Sequence, residues 1–321
     1  MRDFKSKRKQ ILQILGFFLV VFIVLSIASV LLDPVRLGMY DEVSERERYM
    51  LSLLAEPENT VDVVVLGDSE SYTFISPMEL WEKYGMTSYI AGQAGQHLPE
   101  TFYSLKRIMK RQNPKVVIVE TNEIFSPESN LYEAGYSIRE MGYYCFPVLK
   151  YHNLWKYMVE EGEAYPLHFN GFEVRTTIQP YTGGPYMQQT DEQDDILFVC
   201  QYYLRKINEL CEKNGARLLL VTAPSALNHT MQRHNALENY AKKTGIPYLD
   251  LNEKTDELGI DWATDTLDGG DHLNFSGALK TNAYMGQYLD EHYELPDHRG
   301  EDAYKPWDVR LEEYKKECAK F

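Results

Sequence analysis

The sequence is poor in cysteine and in net positive charge, and each shortage excludes something. Only Cys145, Cys200, Cys211 and Cys318 occur in 321 residues. They form no C-x-x-C pair and no Cys/His metal spacing, so no metal site is expected. Cys200 and Cys211 fall in one helical pattern, where eleven residues span ~16 Å, too far for a disulfide. Buried structural thiols are the expectation. Lysine and arginine number 33 against 48 acidic residues, a formal net charge of −15. A basic nucleic-acid footprint is therefore absent. No internal repeat occurs. Hydrophobic residues make up 44 %, enough for a sizeable core.

One long hydrophobic run is present. Arg2, Lys5, Lys7, Arg8 and Lys9 stand against Asp3 in residues 1–10, and an apolar stretch follows over 11–32. As a helix it spans ~33 Å, enough for a hydrocarbon core. A cleaved signal peptide would have an apolar region of ~7–15 residues and a small-residue exit. Here the run is longer and ends at Asp33-Pro34. The expectation is an uncleaved, single-pass signal anchor. Its cationic flank stays cytoplasmic and the rest of the chain lies outside the membrane.

After a charged linker over 33–60, strand and helix patterns alternate. Apolar runs at 61–67, 86–92, 114–122, 216–225 and 247–252 suit parallel strands buried on both faces. Helical patterns lie between them, with Gly85, Gly215 and Gly245 as stops and Pro114 beyond another. Asp191, Glu192, Asp194 and Asp195 read as the acidic opening of one helix. The fold class expected is α/β: a three-layer α/β/α sandwich with a mostly parallel, five-stranded, flavodoxin-like sheet, plus the N-terminal transmembrane helix. The main domain covers 61–295. Within it, 126–190 is an irregular aromatic insertion, too long for a simple connection. Residues 296–321 read as a charged, peripheral tail. The insertion's "KYHNLWK" at 150–156 reads as local packing or as a sugar- or lipid-facing patch.

Ligands of such sheets bind at the carboxyl ends of the strands. Gly67-Asp68-Ser69 stands at one such end, Thr121-Asn122 at another. Serine is a weak nucleophile unless a histidine takes its proton and a carboxylate holds that histidine. His272, in the Gly/Asp-rich "LDGGDHLNFSG", is the base candidate. Asp268 or Asp271 is the carboxylate. Asp268 is favoured, because Asp271 cannot easily fold back onto its own neighbour. Oxyanion donors are the Ser69 amide, the backbone at Gly95 and the Asn122 side chain. Asp68, Gly92, His97 and Asn274 flank these groups as weaker substrate-binding candidates. A plain reading stands beside each: Ser69 as a turn cap, Asn122 as a turn former, His97 as a helix-start residue.

These blocks resemble the SGNH/GDSL hydrolase superfamily. Its G-D-S matches Gly67-Asp68-Ser69, its second-block glycine matches Gly95 with Gly92 close by, and its third-block asparagine matches Asn122. The usual G-x-N-D reads Glu120-Thr121-Asn122-Glu123 here, without the glycine. The D-x-x-H block matches at His272, but Gly269 stands three residues before it. With the anchor, the chain is similar to exported members that serve cell-envelope O-acylation, of the teichoic acid D-alanine-transfer and alginate acetylation type. The resemblance implies a serine esterase or O-acyltransferase acting on an acyl-ester of an envelope polymer. It further implies a polytopic membrane O-acyltransferase as partner, and no cofactor. The rival reading is an inactive member of the fold that binds glycan or that membrane partner.

Overall fold

The computed structural model describes residues 2–40, 43–157 and 165–321, with side chains from Lys7 onward. Residues 41–42 of the expected linker and 158–164 of the expected insertion lie outside the described residues. In chain order the helices and strands are α1 (Arg2–Leu31), α2 (Arg48–Ala55), β1 (Val63–Leu66), α3 (Pro77–Tyr84), β2 (Ser88–Ile90), α4 (Leu98–Ile108) and β3 (Val116–Glu120). Next come α5 (Asn130–Cys145), α6 (Val148–Tyr151), α7 (Leu154–Tyr157), α8 (Phe198–Lys213), β4 (Arg217–Thr222), α9 (Met231–Thr244) and β5 (Tyr248–Asp250). The chain finishes with α10 (Thr255–Leu258), α11 (Phe275–His292) and α12 (Lys305–Cys318).

The five strands form one parallel sheet in the order β2-β1-β3-β4-β5. Val63, Val64, Val65 and Leu66 are wholly buried, as are Val116 to Val119. β-branched side chains pack well on both faces of such a central strand, which is why the valine runs form the sheet's middle. The order reverses between β1 and β3, because β2 lies on the other side of β1. Right-handed crossovers then put α3 and α11 on one face and α4, α8 and α9 on the other. The carboxyl ends of β1 and β3 open a crevice at that reversal. Gly85 and Gly245 end α3 and α9 in left-handed conformation, as their positions predict.

α1 contains a 25-residue segment, Lys7–Leu31, whose most apolar 18 residues have a mean hydropathy of 3.0, long and apolar enough to cross a membrane. Its end is seated on the rest of the chain. Ser29 Oγ accepts from the Val148 amide at 3.2 Å, and the Phe22 and Phe146 rings meet edge-on at 5.6 Å.

Five expectations change. The linker contains α2, whose Arg48 is fully buried, ion-paired to Glu173 and donating to the Pro166 carbonyl at 2.6 Å. The insertion contains α5 to α7, with Tyr151 and Leu154 buried and Trp155 exposed. The acidic cluster 191–195 precedes its helix, which begins at Phe198. The segment 296–321 is no peripheral tail: Trp307 and Tyr314 of α12 are buried in the main core. Among the thiols, Cys200 and Cys211 are buried, but Cys145 is exposed; all four are free.

Candidate active site

β1 delivers Ser69 to the sheet's edge through a glycine that nothing larger replaces. Gly67 has φ +141°, and a Cβ there would lie 2.8 Å from the Glu120 Cβ. Asp68 then caps the short 3-10 turn Ser69–Tyr72, its Oδ1 accepting from the Glu70 amide at 3.1 Å. Asp68 thus takes the capping role and leaves the Ser69 hydroxyl for other work. The Ser69 amide opens this turn, where backbone donors lack a partner within the turn.

His272 arrives from the opposite end of the chain. Its loop bends at Gly269 and Gly270, with φ +82° and +101°. That bend folds Asp268 back onto the histidine. Asp268 Oδ1 accepts from the His272 amide at 2.8 Å, and Oδ2 lies 2.7 Å from Nδ1. His272 Nε2 lies 2.8 Å from Ser69 Oγ. Asp271 is farther from Nδ1, at 3.6 Å, and accepts from the Asn228 side chain. Ser69 is partly exposed at the end of this relay, and the His272 side chain keeps 15 % of its surface open. A hydroxyl, an imidazole and a carboxylate in this series can deprotonate the hydroxyl as it attacks.

The crevice floor is acidic and buried. Asp68, Glu70 and Glu120 are all buried. Burial raises the Asp68 pKa, although bonds from the Glu70 amide and Asn122 oppose it. Burial and the neighbouring Glu120 and Asp68 charges push Glu70 well above the carboxylate range. Burial and Asp68 do the same to Glu120. Asn122 donates its side-chain amide to Asp68 Oδ2 at 2.8 Å and accepts from Arg233 at 3.1 Å.

The remaining candidates divide. Gly92 packs against Ser71, where a Cβ would fall 1.8 Å from the Oγ and 2.8 Å from the Gly67 carbonyl. Its small size lets the exits of β1 and β2 approach each other. Gly95 sits in the β2–α4 loop at φ +60°, with open space around its missing Cβ. His97 is engaged elsewhere, bonded to Glu133 at 2.9 Å and stacked on Tyr136 at 4.0 Å. Asn274 is also withdrawn from substrate. It is buried, caps α11 through the Gly277 amide, and donates to the Thr264 and Thr177 carbonyls.

The sequence reading missed Asn228, Arg233 and the strap over 173–186. Asn228 Nδ2 reaches both Glu70 and Asp271, and Arg233 reaches Asn122 and the Asn228 carbonyl. Thr230 is the signal that was available. As the N-cap of α9 it leaves Asn228 in the loop beyond β4, at the same edge of the sheet as Ser69. The strap braces the His272 loop from outside. Gly269 donates to the Gln179 carbonyl at 2.8 Å, Gln179 to Thr266 at 3.2 Å, and Tyr181 to Trp262 at 3.0 Å.

No protein-family model and no curated protein sequence matches the chain. Three solved structures are among those similar to it. A GDSL-like lipase from Bacteroides thetaiotaomicron is 12 % identical, over 78 % of this chain and 98 % of its own, at a TM-score of 0.40. A two-domain esterase active on acetylated mannans is 12 % identical, over 82 % and 57 %, at 0.38. An acetyl xylan esterase is 14 % identical, over 72 % and 100 %, at 0.28.

Proposed function

We propose that the chain is a serine-dependent esterase or O-acyltransferase of the SGNH type. It is anchored by α1 and acts outside the membrane on acyl groups of an envelope polymer. The observation that carries this reading is the Ser69 Oγ to His272 Nε2 distance of 2.8 Å, with Asp268 at 2.7 Å on the other ring nitrogen.

Ser69 Oγ bonds to the acyl carbonyl carbon while its proton passes to His272 Nε2. Asp268 holds Nδ1 as the protonated nitrogen and steadies the imidazolium. The oxyanion is met by the Ser69 amide, the Gly95 amide and the second N–H of the Asn122 side chain. Collapse breaks the ester C–O bond, and His272 returns the proton to the departing alcohol. An acyl group remains on Ser69. Water then releases it as an acid, or a polymer hydroxyl takes it as a new ester. His272 deprotonates either acceptor. No step calls for a cofactor. A polytopic membrane O-acyltransferase supplying the acyl group is the partner such a transferase would need.

A fluorophosphonate probe tests the reading. It should label the full-length protein, and Ser69→Ala should abolish the labelling while His272→Ala reduces it. Labelling that survives Ser69→Ala, or no labelling of the unaltered protein, overturns it. Turnover of p-nitrophenyl acetate with and without a polysaccharide acceptor then separates hydrolysis from transfer.

A further inference from the structure

Behind the edge that holds Ser69, two buried imidazoles converge on one buried carboxylate oxygen. His229 Nε2 and His234 Nδ1 each lie 2.8 Å from the same carboxylate oxygen, Asp250 Oδ2. The residues are 3 %, 8 % and 5 % exposed. Three different pieces of chain supply them: the β4–α9 loop, the first turn of α9 and the end of β5. The other Asp250 oxygen is fixed from outside, accepting from the Asn252 amide at 2.8 Å and the Asn252 side chain at 3.0 Å. Asn252 is held in turn by the Ala223 carbonyl, the Ser225 amide and the Tyr186 hydroxyl.

We propose that His229, His234 and Asp250 bind a divalent transition-metal ion of the zinc class. Two imidazoles and one carboxylate are a borderline-soft donor set that suits zinc and excludes calcium or magnesium as the preferred ion. Zinc–nitrogen and zinc–oxygen bonds of about 2.0–2.1 Å at a tetrahedral angle set donor atoms about 3.3 Å apart. Opening each 2.8 Å contact by about half an ångström therefore admits the ion. The Asn252 bonds to Asp250 are the outer support that metal-ligating carboxylates have.

The site's place in the chain gives it a role. His229 follows Asn228, and His234 follows Arg233. In each pair one side chain turns inward to Asp250 and the other turns to the active crevice. Asn228 reaches Glu70 at 2.9 Å and also bonds to Asp271; Arg233 reaches Asn122 at 3.1 Å. An ion at Asp250 would tie the β4–α9 loop and α9 to the sheet, and would thereby position both crevice residues. The ordinary alternative is a hydrogen-bonded cluster of two histidines on one aspartate, with His234 Nε2 also 3.6 Å from Glu253.

The test uses the full-length protein in detergent, stripped with a chelator and titrated with Zn²⁺ or Co²⁺. The expected result is about one ion per chain, a rise in melting temperature on adding Zn²⁺, and a tetrahedral Co²⁺ absorption band. His229→Gln and His234→Gln should each lose the ion and the thermal rise. Asp250→Asn should weaken binding. Circular dichroism of the stripped variants checks that they remain folded. Ser69→Ala and His272→Ala should bind as the parent does, so the result stands whether or not the chain is an esterase. Binding of less than about a fifth of an ion per chain overturns the proposal. So does binding that survives both histidine changes, or that is lost in His272→Ala.

Discussion

Asn122 and Asp68 are joined across the crevice, the asparagine amide donating to the aspartate at 2.8 Å. The bond links the exits of β3 and β1, and Arg233 holds the other end of the same asparagine. Asn122→Ala should lower kcat about 10²-fold with little change in KM, the cost of losing one oxyanion donor. Asp68→Asn should cost less, since it leaves Ser69 and His272 in place. Steady-state kinetics on p-nitrophenyl acetate measures both. An unchanged kcat in Asn122→Ala would assign the residue to crevice architecture alone.

The two aspartates of the His272 loop should separate sharply. Asp268 holds Nδ1 at 2.7 Å, whereas Asp271 stands at 3.6 Å and is engaged by Asn228. Asp268→Asn should reduce kcat about 10⁴-fold by favouring the wrong imidazole tautomer. Asp271→Asn should stay within about 10-fold of the parent, since it only disturbs the Asn228 contact. The opposite ranking would make Asp271 the orienting carboxylate.

Gly92→Ala should destabilise the fold by about 3 kcal/mol through overpacking. Its new methyl group would meet Ser71 Oγ and the Gly67 carbonyl. Ser71 has little room to yield, because it is buried and its hydroxyl donates to the Asp68 carbonyl at 2.6 Å. Gly95→Ala meets open space, although it carries the strain of φ +60°. Denaturant titration should therefore show the larger loss at Gly92.

Glu100 should confer acid sensitivity on the fold. Burial by itself would raise its pKa, but the Arg46 bond and the Lys150 charge outweigh burial and hold it at about 2, below the ordinary 4.5. A carboxylate depressed in the folded state stabilises fully above its unfolded pKa. That contribution is lost as pH falls from about 4.5 towards about 2. Arg46 belongs to the segment before α2, and Lys150 to α6. Glu100→Gln should flatten the melting temperature against pH across that window. A parent curve of the same shape as the variant's would refute the assignment.

Much of the sheet and of the candidate site was legible because both rest on local signals. A run of buried valines announces a central strand wherever it lies in the chain. Gly67, Asp68 and Ser69 at the end of one strand, with His272 in a loop rich in glycine, announce a candidate site. What stayed hidden depends on contacts between distant segments. Asp191 to Asp195 would favour a helix start, but Asp194 donates to the Gln232 carbonyl, and Asn235 donates to the carbonyls of Thr190 and Glu192. Those bonds to α9 hold the acidic stretch extended and delay the helix to Phe198. Arg48 sits in a run that looks solvated, and only its pairing with Glu173 lets it be buried. Trp307 and Tyr314, seven residues apart on α12, form a core-facing stripe masked by the charges between them. His229 and His234 carry no sign of Asp250, since their shared partner comes from another element, the end of β5.

The contacts of Phe22 with Phe146 and of Ser29 with Val148 tie α1 to the corner between α5 and α6. A flexible tether would let the domain roam and search. In the anchored enzyme proposed above, such a tie would restrict the height and tilt of the crevice over the lipid surface, and the polymer would have to bend or slide to bring each ester within range.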